Sequence, residues 1–374
     1  MEISDIKAIR LYRQHFTAKA DRHTVLHDLN GLQAQFMAMA EHALKIRCSE
    51  PLTYENFGDG LVKNWTLRGT VHIFNRDDLP VFKYDRGNYR SEVFQGYGIF
   101  SDYTYKYSVE LHPDYPEEIF EEYRKNGGAW TLSPEDQRKW SRFILEKVAE
   151  GICEREELKD VCAANGMTKP QLDSMFDQWG GGMRDLCERG FLNYKVQEKK
   201  AFELCPEYIP LSEADALKEQ VTRYFEHFAP ATLRDASYYF GLLQTRLKET
   251  TRDLPMKSIE VDGKAFHYLG ELPSNCPDIP EIIFLGGFDQ LMLGYRKTDS
   301  LYLEPENLRK IFNLAGIVMP AVLINGTVSG RWRKKGKKLV LEMFKPTPAR
   351  LKKHLETEAE RVFTDFKTIE IINI

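Results

Sequence analysis

The sequence has 374 residues, of which 42% are hydrophobic and 29% charged, a composition typical of a globular protein. This length exceeds one typical core and predicts two or three domains, or repeats of one small unit. The net charge of −4 argues against a strongly basic nucleic-acid binder, because phosphate affinity comes from clustered Lys and Arg.

The first predicted unit, residues 1–128, fits a winged helix with an insertion. Residues 3–15 and 31–47 are predicted helices, and residues 65–74 are a predicted strand. The stretch 84–125 is Tyr-rich and irregular, and it predicts no regular element.

Residues 129–210 predict a second winged-helix unit. Ser133 and Pro134 are suited to the N-cap and first turn of a helix of about 17 residues. Helices are predicted at 155–164 and 168–188, the latter interrupted by the glycines 180–182. Strands at 191–196 and 201–204 follow, and three helices before a hairpin are typical of a winged helix-turn-helix.

The same order of elements recurs in residues 211–275, the third predicted winged-helix unit. Predicted helices at 212–228, 232–240 and 242–250 precede strands at 258–261 and 265–269. The Asp262-Gly263 pair between these strands is a strong hairpin signal.

Residues 276–374 change character and predict a small antiparallel β-barrel followed by a terminal helix. Short apolar runs at 282–285, 301–303, 321–324, 327–332 and 338–344 are separated by Gly and Asn turns, as in small barrels. The predicted fold class is therefore α+β, with tandem winged helix-turn-helix units followed by a C-terminal antiparallel β-barrel.

Gln33 and Gln35 open the helix predicted at 31–47. Residues two apart lie about 200° apart around a regular helix, so the two amides converge only if the first turn is irregular or both side chains reach around a narrow end. Spacing alone leaves the alternative of two solvated amides on a helix surface.

Several sequence blocks together resemble the AlkZ/YcaQ family of DNA glycosylases. Q-A-Q at 33–35, within L-x-G-L-Q-A-Q, is similar to the family's Q-Φ-Q motif (Φ apolar), and residues 65–74 resemble its W-x-x-R-G-T-x-H stretch. Residues 285–296 and 323–333 resemble its C-terminal signature. The resemblance implies a monofunctional, cofactor-free enzyme that removes alkylated or crosslinked purines, with Gln33 and Gln35 as catalytic residues.

The chemistry of such a substrate explains why two amides suffice. A purine alkylated at guanine N7 or adenine N3 is cationic and leaves as a neutral molecule, so no strong general acid is required. An amide carbonyl can position the attacking water and orient its dipole towards the oxocarbenium-like sugar.

Two sets of side chains are candidate DNA contacts. Period two places Arg68, Thr70 and His72 on one face of the strand at 65–74, unless these are only polar residues on the outer face of an edge strand. The second set has six cations in eight residues, together with a Trp that either covers the barrel or touches the duplex: Arg331, Trp332, Arg333, Lys334, Lys335, Lys337 and Lys338. The alternative for this run is a solvated turn.

The remaining features predict a cytoplasmic, nucleoid-associated monomer that binds double-stranded DNA. The six cysteines include no C-x-x-C pair, so neither a zinc site nor a disulfide framework is predicted. No apolar run approaches the roughly 20 residues needed to span a bilayer, and the N-terminal residues lack a signal-peptide pattern.

Two alternatives to an enzyme remain open at this point. The first is a non-catalytic winged-helix DNA-binding protein, although residues 171–188 are acidic for a base-reading helix, with Asp173, Asp177, Asp185 and Glu188. The second is a protein-interaction scaffold, which the acidic net charge favours.

Overall fold

The computed structural model describes residues 1–53, 57–66, 69–84, 132–177, 180–188 and 190–374. The Tyr-rich stretch therefore lies almost entirely outside the described residues. The chain divides into two compact units. Unit 1 consists of Met1–Phe57, Lys218–Tyr239 and Leu243–Ile374, and unit 2 of Gly58–Leu217 and Phe240–Leu242. Both units mix helices and strands, which confirms the α+β class.

The helices are numbered in chain order: α1 (Ile3–Arg13), α2 (Arg22–Asp28), α3 (Met37–Lys45), α4 (Leu79–Phe82), α5 (Pro134–Ala149), α6 (Arg155–Ala164), α7 (Lys169–Met175), α8 (Gly181–Glu188), α9 (Glu213–Arg223), α10 (Leu233–Phe240), α11 (Gln244–Thr250), α12 (Gln290–Leu293), α13 (Leu308–Ile311) and α14 (Ala349–Val362). A π-helical turn, Tyr224–Phe228, continues α9. Among the described residues, no helix has the length and apolar character required to cross a membrane.

The strands are β1 (Leu32–Gln33), β2 (Leu61–Trp65), β3 (Val71–Asn75), β4 (Leu192–Tyr194), β5 (Phe202–Leu204), β6 (Lys257–Val261), β7 (Lys264–Tyr268), β8 (Ile282–Phe284), β9 (Ala321–Ile324), β10 (Thr327–Lys335), β11 (Lys338–Met343) and β12 (Thr368–Asn373). Residues 301–303, predicted as a strand, are not one.

Unit 2 joins strands from two predicted domains in one antiparallel arrangement, β3-β2-β4-β5. The junction is the pairing of Lys63 in β2 with Tyr194 in β4. Trp140 and Leu158 from the helices and Leu192 from β4 share one buried core. Residues on both sides of position 128, the predicted end of the first winged-helix unit, thus belong to one compact unit.

Local signals in unit 2 position its helices as predicted. The Ser133 hydroxyl accepts a hydrogen bond from the Asp136 backbone N–H at 3.1 Å, which is the geometry of an N-cap. The helix α6 begins and ends at the predicted residues. The predicted interruption is also present, because Gly181 has a φ of +52° and begins a separate helix.

The C-terminal sheet of unit 1 is open, so the predicted closed antiparallel barrel is wrong. Its order is β12-β11-β10-β9-β8, and β11 and β12 run parallel. The helix α14 connects these two strands and returns the chain to the same end of the sheet, which makes the pair parallel. Trp332, Leu355 and Phe363 belong to the core between this helix and the sheet.

The hairpin β6–β7 confirms the predicted turn chemistry. Asp262 and Gly263 have φ values of +49° and +69°, as a two-residue type I′ turn requires. The predicted helices before this hairpin are also present as α9, α10 and α11.

Candidate active site

The segment that contains Gln33 and Gln35 is not helical, which corrects the prediction of one helix over residues 31–47. Asn30 and Gly31 have φ values of +53° and +76°, and such left-handed residues do not continue into a right-handed helix. Gln33 lies in β1, Gln35 follows in a bend, and α3 begins only at Met37. The helical separation of about 200° therefore does not apply to the two amides.

The two glutamines differ in exposure. Gln33 is only 6% exposed, whereas Gln35 is exposed to solvent. Within the described ranges, neither side-chain amide makes a hydrogen bond. Both amides are thus available to a water molecule or a substrate, one from a buried position and one from the surface.

Buried contacts from distant parts of unit 1 fix the turn before Gln33. The Gln290 side chain donates to the Gly31 carbonyl at 2.9 Å, and the Asn30 amide donates to the Gln220 carbonyl at 3.0 Å. On the other side of the segment, Phe36 stacks on Phe288 with ring centroids 5.9 Å apart. These contacts hold the segment at both ends.

A fully buried ion pair connects the end of α3 to the start of α12. The Arg47 guanidinium donates to both Asp289 carboxylate oxygens at 2.9 and 2.6 Å, and both side chains are 0% exposed. Asp289 also accepts from the Leu291 N–H, so it caps α12. Arg47 additionally lies over the Phe16 ring at 4.0 Å.

The two glycines before Phe288 allow α3 to approach closely. A Cβ atom on Gly286 would lie 2.9 Å from the Met39 carbonyl oxygen, so only glycine fits there without movement. His42, also on α3, donates from Nε2 to the Phe284 carbonyl at 2.7 Å. Burial lowers the pKa of His42 to about 4, although this hydrogen bond opposes the shift. His42 is therefore neutral at physiological pH.

In unit 2, the structure places His72 inside rather than on a surface. His72 is 1% exposed, and its Nδ1 lies 2.9 Å from the Thr66 hydroxyl and 3.0 Å from the Thr70 carbonyl. The ring therefore stabilises the Thr66–Thr70 turn, and direct contact with DNA is excluded in this conformation. Thr70 is half-buried, and Arg68 lies outside the described residues.

Most of the basic run on β10 and β11 is paired with acidic side chains. Arg331 and Arg333 both bind Glu342, and other carboxylates bind Lys334 and Lys338, namely Asp365 at 2.7 Å and Glu370 at 3.2 Å. In the part of the chain that the structure describes, Lys335 and Lys337 have no ion pair.

Trp332 occupies the core below this run. It is 2% exposed, and its indole N–H donates to the Leu285 carbonyl at 2.7 Å. Of the two roles considered for this residue, covering the C-terminal sheet is therefore the one observed.

Sequence reasoning did not identify the residues that support the glutamine segment. These residues are Arg47, Gln220 and Gln290. Each lies either far from Gln33 in sequence or on a different element, and no local sequence pattern connects them with Gln33. Gln290 lies within the block 285–296 already noted for its resemblance, which was the only available signal.

Comparisons with known proteins bear on the family and fold of the whole chain. A family model described as DNA glycosylase AlkZ-like matches residues 26–364. The sequence is 25% identical over 355 residues to an interstrand DNA cross-link repair glycosylase from Streptomyces sahachiroi, covering 89% of this chain and 88% of that protein. The solved structure of Streptomyces sahachiroi DNA glycosylase AlkZ has the same fold, with a TM-score of 0.71 at 22% identity over 100% of both chains.

Proposed function

Because this chain belongs to the AlkZ-like DNA glycosylase family and is thus an enzyme that hydrolyses N-glycosidic bonds in DNA, we propose that it releases cationic alkylated or crosslinked purines using Gln33 and Gln35. The supporting observation is the pair of amides without hydrogen-bond partners on a segment held by buried contacts. The relative named as an interstrand cross-link repair glycosylase supports crosslinked purines as substrates.

In the proposed reaction, water attacks C1′ as the bond between C1′ and the purine nitrogen breaks. The electron pair of that bond leaves with the purine, which departs as a neutral base, and the proton lost by the water passes to solvent. The side-chain carbonyls of Gln33 and Gln35 accept hydrogen bonds from that water and direct their dipoles towards the positively charged sugar. The supports of this segment matter because a misplacement of about 1 Å can cost roughly 100-fold in rate. No cofactor is required, since the leaving group already bears the positive charge.

We further propose which elements and side chains bind DNA. Helices α5–α8 with β4–β5, and α9–α11 with β6–β7, act as winged-helix units along double-stranded DNA. Lys335 and Lys337 contact phosphates, and the enzyme acts as a monomer. A crosslinked base is too bulky to enter a tight pocket readily, which favours an open cleft over complete base flipping.

The test is single-turnover release of N7-methylguanine from a DNA duplex. We expect Gln35→Ala and Gln33→Ala each to lower the rate at least about 10-fold, because each removes an acceptor for the water. Binding of the same duplex should stay nearly unchanged, since neither amide contributes a phosphate contact.

The matched control is Asn373→Ala, which removes an exposed side-chain amide in β12 of unit 1, outside the elements assigned to DNA binding, and should leave the rate unchanged. Equal rates for the wild type and for both active-site variants would eliminate the catalytic assignment. Loss of duplex binding in parallel with rate would instead place the glutamines in substrate binding.

A further inference from the structure

Three metal-binding side chains converge at the C-terminal end of α2. They come from three places in unit 1: His15 just after α1, Asp28 at the end of α2, and His227 in the π-helical turn. One ligand atom of each lies within 4.8 Å of the others. The Asp28 Oδ2 oxygen is 2.8 Å from His15 Nε2 and 3.2 Å from His227 Nδ1.

The hydrogen bond that His15 makes through Nδ1 indicates what lies between its Nε2 atom and the Asp28 carboxylate. His15 Nδ1 is 3.0 Å from the Ala18 carbonyl, which can only accept, so Nδ1 bears the proton. In a neutral imidazole the Nε2 lone pair then faces the Asp28 oxygen. That approach is favourable only if a second proton or a cation lies between the two atoms.

Hydrogen bonds from surrounding residues orient the side chains of His15 and Asp28, as such bonds do for the ligands of known metal sites. A ligating histidine usually donates its second N–H to a carbonyl or carboxylate, as His15 does. The other Asp28 oxygen is 2.9 Å from His27 Nδ1. The carboxylate is thereby held with Oδ2 directed at His15 and His227.

The cluster is open to an ion. The Asp28 side chain remains 10% exposed and that of His227 23% exposed, so an ion has access.

From this geometry we propose that His15, Asp28 and His227 bind one Zn²⁺ ion. Bond lengths of about 2.0–2.2 Å place the ligand atoms of a tetrahedral zinc ion roughly 3.3 Å apart. The distance between Asp28 and His227, 3.2 Å, matches this separation, and the distance between Asp28 and His15, 2.8 Å, must lengthen when the ion binds. Two imidazoles and one carboxylate leave the fourth position for water. The ion would connect α1, α2 and the π-helical turn, and so stabilise the chain just before Asn30 and Gln33, an inference beyond the proposed glycosylase activity.

Titration of metal-free full-length protein with ZnCl₂ by calorimetry tests this site without DNA. We expect one equivalent of Zn²⁺ to bind. Co²⁺ should produce visible absorption bands of a four-coordinate site, and excess Mg²⁺ should not compete because it prefers all-oxygen ligands. Absence of saturable Zn²⁺ binding by the wild type would overturn the proposal.

Variants locate the ion. His15→Ala and His227→Gln should weaken Zn²⁺ binding at least about 100-fold, since each removes one of three protein ligands. His23→Ala, which alters an exposed histidine on the same helix as Asp28, should bind as the wild type does. Equal affinity in all variants that retain the wild-type circular dichroism spectrum would place the ion elsewhere and contradict the site. Because the readout is metal binding, this outcome is independent of whether Gln33 and Gln35 are catalytic.

Discussion

At the scale of single residues, Asp289 has two structural roles near the candidate site. It forms the buried ion pair with Arg47 and caps α12. A buried pair of this kind contributes little net free energy when intact, but loss of one partner leaves an uncompensated charge in the interior.

We therefore expect Asp289→Asn to reduce the free energy of unfolding by about 3–5 kcal/mol. Asparagine retains a side-chain oxygen that can cap α12, so the change isolates the missing charge opposite Arg47. Urea unfolding followed by circular dichroism measures the loss.

The matched control for this prediction is Asp299→Asn. Asp299 pairs with Arg296 at 3.3 Å, but both side chains are over one-third exposed, so the expected loss is about 0–1 kcal/mol. Similar losses for Asp289→Asn and Asp299→Asn would contradict the importance of burial.

At the scale of elements, the hairpin β10–β11 contains the clearest candidate phosphate contacts. Its lysines fall into two groups. Lys334 and Lys338 form ion pairs with carboxylates. Lys335 and Lys337 flank the turn at Gly336 and have no carboxylate partner among the described residues. A cation that binds a phosphate releases counterions from DNA. A lysine without a carboxylate partner does so fully, because it has no ion pair to break first.

Replacing both Lys335 and Lys337 by Gln should therefore weaken duplex binding and reduce the slope of log K against log salt by about 2. The double replacement of Lys334 and Lys338 by Gln removes the same charge and serves as the control, with a smaller expected change in slope. Fluorescence anisotropy across a salt series measures both. Identical slopes for the two double variants would show that the carboxylate partners do not matter.

At the scale of the whole molecule, two histidines that are neutral at pH 7 link stability to pH: His42, which is buried, and His227, which is partly buried. Burial lowers the pKa of both His42 and His227 to about 4, while an unfolded histidine titrates near 6.5. Between these values the unfolded state binds more protons. Each histidine's contribution to stability is thus complete above about pH 6.5 and is lost as pH falls towards 4.

We expect the free energy of unfolding to fall by on the order of 1–2 kcal/mol per histidine between pH 7 and pH 5. His42→Gln should reduce this dependence, because the glutamine amide can still donate to the Phe284 carbonyl but does not titrate. Urea unfolding of the metal-free protein at both pH values provides the measurement. An unchanged pH dependence in the variant would refute the assignment to His42.

The sequence alone determined the elements whose signals are local. Ser133 and Pro134 predicted the start of α5, and Asp262-Gly263 predicted the β6–β7 turn, because caps and two-residue turns depend on the residues that form them. The blocks that resemble the AlkZ/YcaQ family likewise predicted the family and the enzyme class, since together they are more specific than any one motif.

Only the tertiary structure decided the features that depend on distant partners. Residues 32–36 have acceptable helix propensity, but the left-handed turn at Asn30 and Gly31 and the contacts from Gln290 and Phe288 hold them in a non-helical conformation, and tertiary contacts routinely outweigh propensity. Contacts between distant residues also decide three other features: the pairing of β2 with β4, the parallel pairing of β11 with β12, and the carboxylates that neutralise Lys334 and Lys338. Each joins residues far apart in sequence, where periodicity, capping and turn chemistry contain no information about which segments will meet.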